Sequence, residues 1–215
     1  MSQSLNPKPT FSDRLRLIFK GITDPVGAFL NRLGLTPNTI TLLGLVGTTV
    51  GAYFISQGRI TLGGMILFVS VLVDVLDGTM ARLRGESSDF GAFVDSVSDR
   101  YAEFITFGGL LYYFLSKADY PGVVVTFAAT AGSVLVSYVK ARAEGLGFEA
   151  KVGILTRAER YIVLIPLLVF NQPFIASLVI AVLGNITAFQ RVLYVRVQGH
   201  ERMKAARENK EKIHS

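Results

Sequence analysis

Cysteine is absent from the 215 residues, which excludes a disulfide scaffold. Charge is scarce too: 18% of the residues are charged, where an ordinary soluble domain carries about a quarter. Half the chain is hydrophobic and its mean hydropathy is +0.44. A soluble domain fits poorly, and disorder is excluded by the same apolar content. There is no internal repeat, and the two histidines, His200 and His214, lie in the polar tail with no site role. The 22 bases outnumber the 16 acids without forming a polar domain, since they occupy short segments between long apolar runs. Nucleic acid is therefore not the expected partner; an anionic membrane surface is.

What is present is a series of apolar stretches long enough to cross about 30 Å of hydrocarbon. They lie at 38–57, 60–81, 91–115, 120–140, 156–172 and 174–195. The reading is an all-α integral membrane fold of six transmembrane helices. Thr36-Pro37 caps and opens the first span, Gly85 with Ser87, Ser88 and Asp89 separates the second from the third, and Asn171-Gln172-Pro173 separates the fifth from the sixth. With the N-terminus inside, the inner segments hold 19 Lys and Arg, while the outer loops hold only Arg59 and Lys117. That asymmetry predicts a multi-pass protein of the cytoplasmic membrane with both termini on the cytoplasmic side.

Three regions follow: a cytoplasmic N-terminus over 1–37, the membrane domain over 38–195, and a charged cytoplasmic tail over 196–215. The N-terminus does not read as a signal peptide, because Arg14, Arg16 and Lys20 interrupt any apolar core. Asp24-Pro25 reads as a helix start. Val26, Phe29, Leu30 and Leu33 follow at i, i+3, i+4 and i+7 with Gly34 as the stop, which describes an amphipathic helix on the inner interface. The tail from Glu201 onward is expected to be a solvated charged helix or disordered. Gly44, Gly47 and Gly51 form a small-residue stripe on the first span, suited to close helix packing.

Four aspartates stand where hydrocarbon makes charge costly. Asp74 and Asp77, with Ala81 and Arg82, fall at i, i+3, i+7 and i+8 on the second span; Gly91, Asp95 and Asp99 fall at i, i+4 and i+8 on the third. The two stripes can face each other. Four converging carboxylates repel unless cations neutralise them, and oxygen ligands select hard ions, so a pair of Mg²⁺ ions, with Mn²⁺ possible, would balance the charge. Gly78 and Gly91 leave room for backbone to approach a ligand, and Arg82 offers a guanidinium suited to phosphate. Ion-pair glue between helices would want as many bases as acids at this level, and Arg82 and Arg100 are too few. A divalent-cation channel or carrier is the competing class. It lacks a second acidic station and an inverted repeat.

Written out, Asp74-x2-Asp77-Gly78-x2-Ala81-Arg82-x8-Gly91-x3-Asp95-x3-Asp99 resembles the signature of the CDP-alcohol phosphatidyltransferase family. The resemblance implies a six-helix membrane enzyme, a homodimer, in which two divalent ions on the aspartates bind the diphosphate of CDP-diacylglycerol and an alcohol displaces CMP. It implies Asp74, Asp77, Asp95 and Asp99 as metal ligands, with Asp99 also the general base. It implies Gly78, Ala81, Arg82, Ser88 and Gly91 at the CDP-lipid, joined by Asn38, Thr39, Ile40 and Thr41 at the start of span one.

The acceptor is read from a second region. Lys140, Arg142, Arg157 and Arg160, with Arg191 and Arg196 at the end of span six, gather cationic groups at the cytoplasmic level, as a phosphorylated acceptor would require. The stretch Ser137-Tyr138-Val139-Lys140-Ala141-Arg142-Ala143-Glu144, followed by Arg157-Ala158-Glu159-Arg160, resembles the prokaryotic phosphatidylinositol phosphate synthases. Inositol 1-phosphate is thus the expected acceptor, its phosphate held by Lys140, Arg142, Arg157, Arg160 and Arg196. Glycerol 3-phosphate, giving phosphatidylglycerol phosphate, is the alternative. Thr156-Arg157-Ala158 and Glu149-Ala150-Lys151-Val152 depart from that subgroup's usual Glu-Arg-Pro run and Gly-rich stretch.

Overall fold

The computed structural model describes residues 11–85, 88–150 and 152–214. Among them are seven helices and no strand: α1 Phe11–Arg32, α2 Pro37–Ser56, α3 Ile60–Arg84, α4 Asp89–Ser116, α5 Tyr120–Gly145, α6 Arg157–Val169 and α7 Pro173–His214. By length and composition, α2, α3, α5 and α7 can each cross a membrane. The other two expected spans differ. α4 is 28 residues long but carries Asp89, Asp95, Asp99, Arg100 and Glu103 among its first 15 residues. α6 has 13 residues, about 20 Å at 1.5 Å per residue, short of the roughly 30 Å of hydrocarbon.

Most helix ends follow local chemistry. Thr36 Oγ1 accepts from the Thr39 amide at 3.3 Å and so caps α2, with Pro37 in its first turn. Ser88 Oγ does the same for α4 by accepting from the Gly91 amide at 3.0 Å. Asp119 Oδ1 accepts from the Gly122 amide at 3.0 Å at the head of α5. One expectation is corrected and one is narrowed. Asp24-Pro25 does not begin α1, which already runs from Phe11 and carries Pro25 in its interior. Proline has no amide to give, but the neighbouring turns hold the helix through it. At the other end α7 continues without a break past residue 195 to His214, so the charged tail is helical. Ser87, part of an expected break, lies outside the described residues.

The chain forms two compact units, Met1–Thr48 with Ile66–Ala102, and Thr49–Met65 with Glu103–Ser215. In the first, α1 packs on α3: Gly27 lies against Thr79 and Met80, and Asn31 Nδ2 donates to the Met80 carbonyl at 3.2 Å. Arg84 extends the contact, donating to Asn31 Oδ1 at 2.7 Å and to the Leu35 carbonyl at 2.6 Å. Val26, Phe29 and Leu33 of α1 remain exposed. Gly44 and Gly47 of α2 pack against Asp74 and Ser70 of α3.

In the second unit α5 packs along α7. A Cβ at Gly132 would come within 2.7 Å of Asn185 Nδ2, so only glycine admits this approach. Thr126 and Ser177, both fully buried, satisfy each other at 2.9 Å. Gly109 of α4 lies so close to α2 that a Cβ would stand 2.5 Å from the Ala52 carbonyl oxygen.

Candidate active site

The acidic cluster belongs to the first unit. Asp74 from α3 and Asp95 and Asp99 from α4 each place one carboxylate oxygen so that all three lie within 4.8 Å of one another. The facing of the two stripes is thus realised, because an unbroken α4 puts residues 95 and 99 one turn apart on one side. Asp99 is buried at 5% exposure and contacts the Arg100 guanidinium at 3.4 Å.

The fourth aspartate is held differently. Asp77, 7% exposed, accepts from Thr41 Oγ1 at 2.5 Å and from the Gly78 amide. Thr41 contacts the Pro37 carbonyl as well, at 3.2 Å. Thr41, read from sequence as a CDP-lipid contact, is therefore placed against a carboxylate and orients it. Ile40 is buried, while Asn38 and Thr39 are exposed at the start of α2. Arg82 is exposed and donates to Thr79 Oγ1 at 2.9 Å. Ala81 and Gly78 are half-buried on the same helix, and a Cβ on Gly78 would meet Arg82 Nη1 at 3.4 Å. Ser88 and Gly91 bond each other at the head of α4.

Three carboxylates from two helices, all oxygen donors, make a set that suits a hard divalent cation. Like charges held this close in a poorly hydrated setting are mutually destabilising until a cation joins them.

The bases read as an acceptor pocket, with Arg191, all belong to the second unit and are not equivalent. Lys140 and Arg142 are exposed near the end of α5, with Lys140 Nζ 3.9 Å from Glu144. Arg157 is half-buried at the first position of α6, and Arg196 is exposed on α7. Arg160 is 3% exposed and donates to Glu103 Oε1 at 2.5 Å; its Nε and Nη1 make no hydrogen bond among the described residues. Arg191, 4% exposed, donates through Nε to the Val152 carbonyl at 2.8 Å and through Nη1 to the Val136 carbonyl at 2.6 Å.

Glu103 escaped the sequence reading. The signal was available: it continues the Asp95, Asp99 stripe by four residues, and an acid inside an apolar helix calls for a partner.

Comparison with known proteins gives concordant results. Residues 34–191 match the CDP-alcohol phosphatidyltransferase family. The phosphatidylinositol phosphate synthase of Mycobacteroides abscessus is 36% identical over 190 residues, covering 84% of this chain and 86% of the relative. An uncharacterised protein of Aquifex aeolicus is 34% identical over 179 residues, covering 83% and 91%. The crystal structure of Mycobacterium tuberculosis phosphatidylinositol phosphate synthase with CDP-DAG bound superposes with a TM-score of 0.74 at 33% identity, covering 81% of this chain and 93% of that one. The same enzyme in complex with manganese and citrate gives 0.77 at 34% identity, covering 81% and 88%.

Proposed function

The chain belongs to the CDP-alcohol phosphatidyltransferase family and is a multi-pass membrane enzyme, and from that premise we propose that it transfers the phosphatidyl group of CDP-diacylglycerol to inositol 1-phosphate, releasing CMP. The observation that carries the transfer chemistry is the convergence of Asp74, Asp95 and Asp99 from two helices. The choice of acceptor is supported by relatives that are phosphatidylinositol phosphate synthases over more than four-fifths of their length.

Asp74, Asp77, Asp95 and Asp99 would hold two Mg²⁺ ions, with Mn²⁺ as a substitute. When bound, such ions neutralise the diphosphate and stabilise charge on the leaving phosphate. The chain's own residues do the rest. Asp99 accepts the proton of the acceptor hydroxyl, whose oxygen then bonds to the phosphorus bearing diacylglycerol. The phosphorus–oxygen bond to CMP breaks, and the electron pair leaves with CMP. Thr41 fixes the Asp77 carboxylate. Arg82, Gly78, Ala81, Ser88 and Gly91, with Asn38, Thr39 and Ile40, frame the CDP-lipid.

Lys140, Arg142, Arg157, Arg160 and Arg196 supply cationic contacts for the acceptor phosphate. Arg157 comes first among them, because it is half-exposed at the head of α6. Arg160 retains two guanidinium nitrogens beyond its pair with Glu103.

In the membrane, six helices cross, with the short α6 completing its passage through the residues that flank it; the exposed apolar face of α1 lies on the inner interface, and both termini and the site face the cytoplasm. The enzyme works as a homodimer. The cysteine-free chain suits a labelling test: a cysteine at Ser116 should react only from outside and one at Glu208 only from inside.

The deciding assay is CMP release from CDP-diacylglycerol by purified protein, offered inositol 1-phosphate, glycerol 3-phosphate, serine and inositol in parallel. Turnover with inositol 1-phosphate and a divalent ion is expected. Faster turnover with any other acceptor overturns the assignment.

A further inference from the structure

The connection between α5 and α6 is laced along one side of α7, including the part of α7 beyond the apolar span. The Leu155 amide donates to Thr187 Oγ1 at 3.0 Å, and Arg191 Nε donates to the Val152 carbonyl at 2.8 Å. Gln198 forms a reciprocal pair with the Glu149 backbone: its Oε1 accepts from the amide at 3.1 Å and its Nε2 donates to the carbonyl at 2.7 Å. Arg202 donates to the Leu146 carbonyl at 3.3 Å and to the Gly147 carbonyl at 2.5 Å, with its guanidinium 4.1 Å from the centre of the Phe148 ring.

Residues 187, 191, 198 and 202 fall within about 60° of one another around a helix of 3.6 residues per turn. Their partners run in the reverse order along the connection. The described residues of this strap thus lie antiparallel along α7. Gly153, at φ +125°, lies against Thr187 and Arg191, a conformation and a clearance that a side chain would spoil. Ala150 and Leu155 of the strap are buried.

The strap ends at Thr156, whose hydroxyl meets Glu159, and the next residue is Arg157. We infer that Gln198 and Arg202 are positioning residues: by fixing the strap they fix the head of α6, and with it the affinity for the phosphorylated acceptor. The role of Arg157 rests on the function proposed above. A strap held in place before binding spares the acceptor the cost of ordering it, and loosening it should appear as weaker acceptor binding. Gln198 and Arg202 touch backbone rather than substrate, so the chemical step should be unaffected.

The test combines kinetics with amide hydrogen exchange on the full-length protein in detergent, using Gln198→Leu, Arg202→Ala and Arg202→Lys. Exchange at residues 147–150 should rise in the first two. The acceptor KM should rise about three- to tenfold, with kcat and the CDP-diacylglycerol KM held within twofold, and Arg202→Lys, which keeps a cation over Phe148, should recover part of the loss. Unchanged exchange overturns the strap. Faster exchange with an unchanged acceptor KM, or equal rises in both KM values, overturns the positioning role. If wild-type enzyme prefers glycerol 3-phosphate, the acceptor assignment fails in the wild type alone, and the same comparison is read with that acceptor.

Discussion

The two compact units treat charge in opposite ways. The first brings Asp74, Asp95 and Asp99 within 4.8 Å of one another, an arrangement of like charge that the fold must sustain against repulsion. The second holds bases whose charge the chain itself satisfies: Arg160 by Glu103, Arg191 by the carbonyls of Val136 and Val152, Arg202 by those of Leu146 and Gly147. Acids gathered this closely from two helices offer their oxygens to a cation from outside. Charge already matched is part of the scaffold. On that reading the acids form the catalytic centre proposed above, and the bases divide between a few that can meet a substrate and several that hold helices and loops together.

The largest expected effect is on the acids. Asp74→Asn, Asp77→Asn, Asp95→Asn and Asp99→Asn should each lower CMP release by about 10³-fold or more, since on the proposed function several kcal/mol of charge stabilisation depends on the ions they would hold. Chelator-treated enzyme should be inactive until Mg²⁺ or Mn²⁺ is returned. Full turnover in the chelator would erase the contrast between the units.

Next comes the buried pair. Glu103→Gln should destabilise the protein by about 3–5 kcal/mol, because it leaves the Arg160 charge buried without its partner, whereas the double change Glu103→Leu with Arg160→Met should be close to neutral. Thermal unfolding in detergent measures both. If the stable double variant also loses acceptor affinity, Arg160 serves the substrate as well as the scaffold, and the division sharpens to single nitrogens.

Arg157→Ala should raise the acceptor KM about ten- to hundredfold, the loss of one charge-assisted contact of roughly 1.5–3 kcal/mol. The CDP-diacylglycerol KM should stay nearly constant, and parallel rises in both constants would place Arg157 with the scaffold bases. The smallest effect belongs to Thr41→Val. Removing one hydrogen bond to Asp77 costs about 1 kcal/mol, or roughly a fivefold fall in kcat/KM. Wild-type activity in that variant would show that the metals alone orient Asp77.

The membrane class, the starts of α2, α3 and α5 and the residues of the acidic cluster were legible because they depend on local features: apolar run length, cap chemistry and the spacing of aspartates on one helix face. Where local rules misled, a neighbour intervened. Pro25 is carried inside α1 by the turns on either side, and the fifth apolar run, 156–172, yields a helix of only 13 residues because Thr156 serves as its N-cap and the chain turns at Phe170, Asn171 and Gln172.

By itself the sequence determined that this is a helical membrane protein of the CDP-alcohol phosphatidyltransferase family and that Asp74, Asp95 and Asp99 lie on stripes able to face each other. Only the tertiary structure decided that Thr41 meets Asp77 across 36 residues, that Glu103 meets Arg160 across 57, and that Gln198 and Arg202 grip a loop about fifty residues earlier. The physical reason lies in the helices. Those that are apolar all round carry no stripe to reveal which side faces a neighbour, so their rotation and register, and every contact between distant residues, are set by packing.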